Sequence, residues 1–403
     1  MNTSFWKAGH TPTLFAAFLY FDLSFMVWYV LGPLGVQIAA DLGLTTQQRA
    51  MMVATPILAG AVLRFLMGML ADRTSPKSAG LVGQVIVIAA LAVAWLHGVH
   101  SYEQALLLGL FLGFAGASFA VALPLASQWY PAQHQGKAMG IAGAGNSGTV
   151  LAALFAPVLA STFGWSNVFG LALIPLVLTL IIFASVAKNA PERPKPKAAG
   201  DYLKALADRD SWWFMLFYSV TFGGFLGLAS TLPGYFHDQY GFDPVKAGYY
   251  TAACVFAGSL LRPLGGALAD RIGGIRTLLV MYTVASMCLT VVGFNLSSSA
   301  AALALFVIAM LSLGAGNGAV FQLVPQRFRQ SIGVMTGLIG MAGGIGGFAL
   351  TAGLGAIKQA TGDYQLGLWL FAALGVVAWI GLHGVKLRWR TTWGSAAVTA
   401  ARV

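Results

Sequence analysis

Twelve apolar runs, each close to twenty residues, leave this chain few folds to choose from. About twenty apolar residues in helical form cross a hydrocarbon core of roughly 30 Å, whereas a barrel strand needs only about ten. The runs cover 14–36, 50–71, 79–97, 104–128, 137–160 and 166–187, then 212–236, 247–269, 276–296, 299–325, 332–357 and 365–386. With hydrophobic residues at 58% and charged residues at 9%, the chain is expected to take the lipid bilayer as its solvent. Fifty glycines point the same way, since glycine lets membrane helices approach closely. The expectation is an all-α membrane protein of twelve transmembrane helices.

Charge sets the topology. In a soluble chain a formal charge of +11 would suggest nucleic acid, but these bases stand singly at the ends of apolar runs, so no nucleic-acid partner is expected. Outside the runs, all lysines and arginines but Arg49, Lys246 and Lys358 fall on the side that holds both termini. Basic residues stay in the cytoplasm, so both termini are expected there, in a bacterial inner membrane. The first run follows Lys7 and lacks a small-residue cleavage pattern, so it reads as a retained helix. Cys254 and Cys288 both lie inside runs, which argues against a disulfide framework or a metal cluster. One polar, proline-rich stretch, with Pro191, Glu192, Arg193, Pro194, Lys195, Pro196 and Lys197, reads as a linker. The expected divisions are a six-helix half at 1–187, a cytoplasmic linker at 188–211, a second half at 212–386 and a cytoplasmic tail at 387–403.

The halves repeat. The stretch from Ala59 to Arg73 and the stretch from Ala257 to Arg271 are identical at ten of fifteen positions with an offset of 198. Tyr20 to Phe25 matches Phe217 to Phe222 at an offset of 197, and Gly136, Gly140 and Gly143 fall opposite Gly333, Gly337 and Gly340. A six-helix unit duplicated in parallel sense is the plan of the major facilitator transporters, in which the substrate site lies near midplane between two pseudo-symmetric halves.

Both copies of the repeated stretch carry an arginine eight residues before an Asp-Arg pair, Arg64 before Asp72 and Arg73, Arg262 before Asp270 and Arg271. Eight residues of helix is about 12 Å, which puts each guanidinium near the middle of the bilayer. An arginine there costs at least about 2.5 kcal/mol and calls for a partner. The predicted spans supply a single acid, Asp22, which cannot neutralise two arginines. An anion is therefore the expected ligand. The planar guanidinium fork suits a compact oxyanion better than a sugar or peptide.

Further candidates lie inside the apolar runs. Phe25 and Phe222 are repeat mates that could clamp a flat ligand or simply fill the core. Asn146 sits in a glycine-rich stretch, Gly143 to Gly148, and Asn317 in another, Gly314 to Gly318; each is a candidate for ligand binding or interhelical bonding. Asp22 reads either as a proton carrier or as a fixed counter-ion. The two Asp-Arg pairs at helix ends are candidates for gating. No Ser-His-Asp set, metal-ligand spacing, phosphate loop or dinucleotide fingerprint is visible, so neither enzyme activity nor a cofactor is expected.

The stretch Gly68-Met69-Leu70-Ala71-Asp72-Arg73 resembles the signature of major facilitator proteins between helices 2 and 3. Gly116 to Ala120, Gly140 to Gly148 and Gly340 to Phe348 further resemble the nitrate/nitrite porter family, across all twelve helices. With its short loops the chain is most similar to compact bacterial nitrate transporters of the assimilatory type. The resemblance implies that Arg64 and Arg262 bind nitrate, and that Phe25, Tyr218 and Phe222 sandwich the planar anion. It also implies that Asn146 lies in the site and that the glycine runs, with Gly143, Gly145, Gly340, Gly343 and Gly344, flex as the carrier rocks. Family members that exchange nitrate for nitrite tend to lack an acid in helix 1, so Asp22 favours proton symport. The expected function is nitrate import, with nitrite also carried, by alternating access in a monomer. Nitrate/nitrite exchange, a nitrate-binding receptor and a carrier for formate or oxalate are the alternatives.

Overall fold

A computed structural model of the chain describes residues 5–191, 199–260, 262–328 and 331–392. Twelve helices are long and apolar enough to cross a membrane. The first six are α1 (Thr11–Leu42), α2 (Thr46–Arg73), α3 (Pro76–His97), α4 (Tyr102–Ser127), α5 (Ala138–Phe163) and α6 (Trp165–Val186). The second six are α7 (Arg209–Tyr240), α8 (Pro244–Ile272), α9 (Gly274–Val292), α10 (Ser299–Arg327), α11 (Gly333–Thr361) and α12 (Gln365–Trp389). Among the described residues there is no strand, and the fold is an all-α membrane fold.

The helices end where backbone chemistry stops them rather than where apolarity does. α1 runs past its apolar run to a left-handed Gly43, φ 64°, and α7 continues through His237 and Asp238 to Gly241, φ 65°. Glycine takes that conformation without a Cβ clash and so closes helices efficiently. α9 stops short of its expected end because Asn295 turns left-handed, φ 52°. Starts are capped in the usual way: Ser75 accepts from the Ser78 amide ahead of α3, and Ser101 from the Gln104 amide ahead of α4. Within the stretch expected as a linker, Ala199–Ala207 forms a further short helix. Residues Glu192 to Lys197 of that stretch, and the expected tail from residue 393 onward, lie outside the described residues.

Two compact units divide the chain. One holds α1, α2 from Thr55 onward, and α3 to α6; the other holds α7 to α12 together with Thr45–Ala54, the start of α2. In the first unit α1 packs on α4, α5 and α6, and α3 packs on α4 and α6. In the second, α7 packs on α8 and α11, α8 on α10, and α9 on α10 and α12. The apolar window of α1 is 72% buried and that of α7 83%, against 39% for α3 and 33% for α6. α1 and α7 are thus the inner helices, and residues such as Leu96, Ile174 and Leu178 present an apolar exterior suited to lipid.

Two ion-pair clusters hold the ends of α7. At its start Asp210 accepts from Arg327 Nε at 2.7 Å, from Trp389 Nε1 at 2.9 Å and from Arg388, while Asp208 accepts from Arg327 at 2.6 Å. At its end Asp238 pairs with both terminal nitrogens of Arg49, and Tyr364 donates to it at 2.7 Å. Arg49 belongs to the Thr45–Ala54 segment, which lies close upon α7 and α11. A Cβ on Gly234 would stand 2.9 Å from the Arg49 guanidinium, and one on Gly355 2.0 Å from the Cβ of Ala50.

Candidate functional site

Each unit builds its own arginine cluster. In the first, α4 breaks at Ala117 and Ser118, where Ala120 N–H bonds to Ala117 instead of Gly116. The Gly116 carbonyl is thereby left to an outside donor, and Arg64 Nε supplies one at 3.1 Å. Arg64 is 4% exposed, and its guanidinium carbon lies 5.4 Å from the Trp28 ring and 5.4 Å from the Phe119 ring. Such contacts are worth about 0.5 to 2 kcal/mol each, more when water is excluded. Trp28 is itself fixed: its N–H donates to the Pro56 carbonyl at 2.7 Å. A Cβ on Gly116 would sit 2.4 Å from the indole and one on Gly60 3.0 Å, so both glycines make room for the ring.

The second unit holds its arginine differently. Arg262 is part-buried, donates to the Tyr218 hydroxyl at 3.4 Å, and lies 5.6 Å from the Phe321 ring. Tyr218 stacks on Phe222 at 5.1 Å with planes 5° apart and meets Phe321 edge-on at 5.0 Å. Gly343 of α11 allows this stack, since a Cβ there would come within 2.6 Å of Tyr218. Phe25, the repeat mate of Phe222, packs on Phe21 at 4.3 Å and Trp28 at 4.6 Å. Both mates are buried in aromatic clusters of their own units.

Around the acid of α1 the backbone departs from α geometry. Ala144–Ser147 of α5 form a 3₁₀ turn, and the Ser147 hydroxyl lies 2.7 Å from Asp22 Oδ1. Gly148 follows at once, and a Cβ on it would stand 1.8 Å from the Asp22 carbonyl oxygen, so α5 meets the α1 backbone directly. Gly145 presses on Phe21 in the same way, whereas a Cβ on Gly143 would meet nothing within 4 Å. In the second unit the distortion sits in the other helix: Ser219–Gly223 of α7 form a π-helical turn, and α11 is regular, with Gly340, Gly343 and Gly344 buried in it. π-turns within α-helices recur at functional sites.

Asn146 and Asn317 are 3% and 1% exposed, and among the described residues the side-chain oxygen of each has no hydrogen-bond partner. A buried amide oxygen left so costs about 1 to 3 kcal/mol and calls for a donor, whereas it is the amide nitrogen of each side chain that could donate to an anion. Asp72, Arg73, Asp270 and Arg271 are exposed at the ends of α2 and α8 and form no ion pair among the described residues.

Sequence reasoning singled out both arginines but missed Trp28, Phe119 and Phe321 as the rings beside them, and Ser147 as the partner of Asp22. The repeat hides the two phenylalanines, because position 119 matches Asn317 and position 321 matches Leu123. Trp28 had a signal, three residues after Phe25 and hence on one face of α1 with it.

Twelve helices in two six-helix units, each with an arginine within an aromatic cluster, define a carrier of the major facilitator kind. The model of the Major Facilitator Superfamily matches residues 16–351. A "probable nitrate/nitrite transporter NarK2" of Mycobacterium tuberculosis is 34% identical, covering 88% of this chain and 91% of its own. A "probable nitrate/nitrite antiporter NarK1" of Thermus thermophilus is 32% identical over 93% of this chain and 91% of its own. A "nitrite extrusion protein" of Bacillus subtilis is 30% identical over 88% of each chain. Among solved structures, a bacterial homologue of the human lysosomal transporter Spinster matches with a TM-score of 0.71 at 19% identity, over 94% of this chain and 97% of that one, which shows the shared fold. The chain belongs to the nitrate/nitrite porter family of the Major Facilitator Superfamily, and is a membrane transporter, not an enzyme.

Proposed function

We propose that the chain imports nitrate, and nitrite with it, across a bacterial inner membrane by alternating access, together with protons. Arg64 and Arg262 bind the anion, Phe25, Tyr218 and Phe222 shape the space around it, and Asn146 and Asn317 donate to it. The observation that carries this reading is the setting of Arg64, a guanidinium buried deep within its helix span, beside the Trp28 and Phe119 rings and within reach of the Gly116 carbonyl. A cation so placed calls for a compact anion, and relatives bearing nitrate and nitrite in their names support the choice. Asp22 carries the proton. Asp72, Arg73, Asp270 and Arg271 gate the cytoplasmic side, on which both termini lie, and Gly145 and Gly343 are contacts on which the helices rock.

Exchange of nitrate for nitrite is the second reading, favoured by the relative named an antiporter. Purified protein in vesicles separates the two. Nitrate entry driven by an inward proton gradient, with no nitrite inside, is the expected result; entry that requires internal nitrite would establish exchange and overturn symport. An absence of nitrate flux under both conditions would overturn the nitrate assignment.

A further inference from the structure

We propose that Ser147 is the positioning residue that links protonation of Asp22 to the turn carrying Asn146. The inference rests on the reading of Asp22 as the proton carrier and of Asn146 as an anion contact.

A serine hydroxyl has one hydrogen to give and can accept. Ser147 Oγ stands 2.7 Å from Asp22 Oδ1 and 2.8 Å from the Ala144 carbonyl oxygen, within bonding distance of both. It cannot donate to the two together. When Asp22 is ionised, the carboxylate is the stronger acceptor and takes the hydrogen. When a proton from water binds at Oδ1, the bond reverses: Asp22 becomes the donor, Ser147 the acceptor, and the Ser147 hydrogen passes by rotation to the Ala144 carbonyl. No covalent bond to Ser147 is made or broken; the hydrogen bond with Asp22 reverses direction and the one to the Ala144 carbonyl forms.

The Ala144 carbonyl opens the 3₁₀ turn that Ser147 ends, and Asn146 lies between them. Protonation therefore closes the turn by a second tie and fixes the residue that offers its amide to the anion. Ionisation loosens that tie. Gly148 lets the parts lie this close, because any side chain there would collide with the Asp22 backbone. In the second unit Ser219 stands at the place of Asp22 and donates directly to the Ala342 carbonyl of α11 at 2.8 Å, a link between the same two helix positions with no titratable group in it.

Few other charges bear on this group. α5 and α6 contain no titratable side chain within their spans, the helical lead-in to α5 from Ala132, which also packs on α1, carries His134 and Lys137, and α4 has only Tyr102 and Glu103 at its first residues. α2, which meets α1 at Trp28, carries Arg49, Asp72 and Arg73 at its ends and Arg64 within. On α1 itself stand Tyr20, Tyr29 and Asp41. Arg64, over Trp28 six residues along α1 from Asp22, is the charge of this set placed within the span. Its guanidinium stays protonated throughout, so it supplies a constant field rather than a second titration.

The test is nitrate binding to the purified full chain by calorimetry, from about pH 5.5 to about pH 8. Wild-type affinity should rise at least about fivefold toward low pH, the lower end of ordinary coupling between sites. Asp22→Asn and Ser147→Ala should each flatten that slope to less than about twofold while still binding nitrate, and Ser147→Thr, which keeps the hydroxyl, should restore it. Ser147→Cys, close in size and a weak donor, should be flat as well, and serves if the alanine variant does not fold. A wild-type slope in Ser147→Ala or Ser147→Cys overturns the role of Ser147. A flat wild-type profile with nitrate bound overturns proton coupling through Asp22, and with it this inference, while the nitrate assignment stands. No nitrate binding by the wild-type chain overturns that assignment itself.

Discussion

α1 and α7 are repeat mates, yet they hold their charges in opposite ways. α7 is pinned at both ends, by Asp210 with Arg327 and Arg388 and by Asp238 with Arg49 and Tyr364, and its middle carries no acid. α1 carries its acid in the middle, at Asp22, and Asp41, the mate of Asp238, is exposed and accepts only a single indole N–H, from Trp165 at 3.0 Å, among the bonds described. Duplication supplied two similar helices, and substitution made one an anchored strut and the other the bearer of a titratable group. The arginines follow suit. Arg64 is buried between Trp28 and Phe119, while Arg262 is part-buried beside the Phe321 ring and the Tyr218 hydroxyl.

The sharpest break in the comparison is at the end of α7. Asp238→Asn leaves the Arg49 guanidinium without its carboxylate in a largely buried place, and removing one partner of a buried pair costs about 3 to 5 kcal/mol. Thermal unfolding in detergent should show a clear fall, and the exchange of Arg49→Asp with Asp238→Arg should recover part of it. Asp41→Asn, at the matching place in α1, should change the midpoint little. Equal losses at the two sites would contradict the asymmetry.

Next comes the pair of arginines. Arg64→Lys keeps the charge and loses the fork, so nitrate affinity should fall about a hundredfold, and Arg262→Lys, at a part-buried position, about tenfold. Calorimetry with nitrate checks both; lysine variants that bind as the wild type does would remove the arginines from the site. Tyr218→Phe deletes one hydroxyl bonded to Arg262 and should weaken binding only about fivefold, the size of one modest hydrogen bond.

The smallest effect belongs to His10, just outside α1. Its Nδ1 accepts from the Thr13 amide, which only the neutral ring can do, and partial burial followed by the charge of Lys188 lowers its pKa below 6.5. A histidine whose folded pKa is depressed contributes stability above its unfolded pKa and loses that contribution as pH falls through this range. The thermal midpoint should therefore decline slightly below about pH 6.5, and His10→Asn, which can still cap the helix, should remove the decline.

Much of this was legible from residue order alone. The twelve spans follow from hydropathy and length, and the midspan arginines from their spacing to the Asp-Arg pairs. What escaped was set by contacts between helices. Asp238 and Arg49 are 189 residues apart, and Arg49 reads in sequence as a loop-side base. Phe119 reaches Arg64 only because α4 breaks beside it, and a break at Ala117 and Ser118 leaves no proline signal. Ser147 lay unnoticed inside a glycine run whose meaning came from Asn146. Repeat logic helped with residues that kept their mates and misled wherever the halves diverged.

The central claim is that nitrate enters with protons taken up through Asp22, and internal pH during nitrate entry into vesicles tests it most directly. A pH-sensitive dye trapped inside should report acidification when nitrate is added to vesicles of the wild-type chain, and none with Asp22→Asn. Nitrate uptake by the wild-type chain without internal acidification, or acidification that persists in Asp22→Asn, would contradict the account.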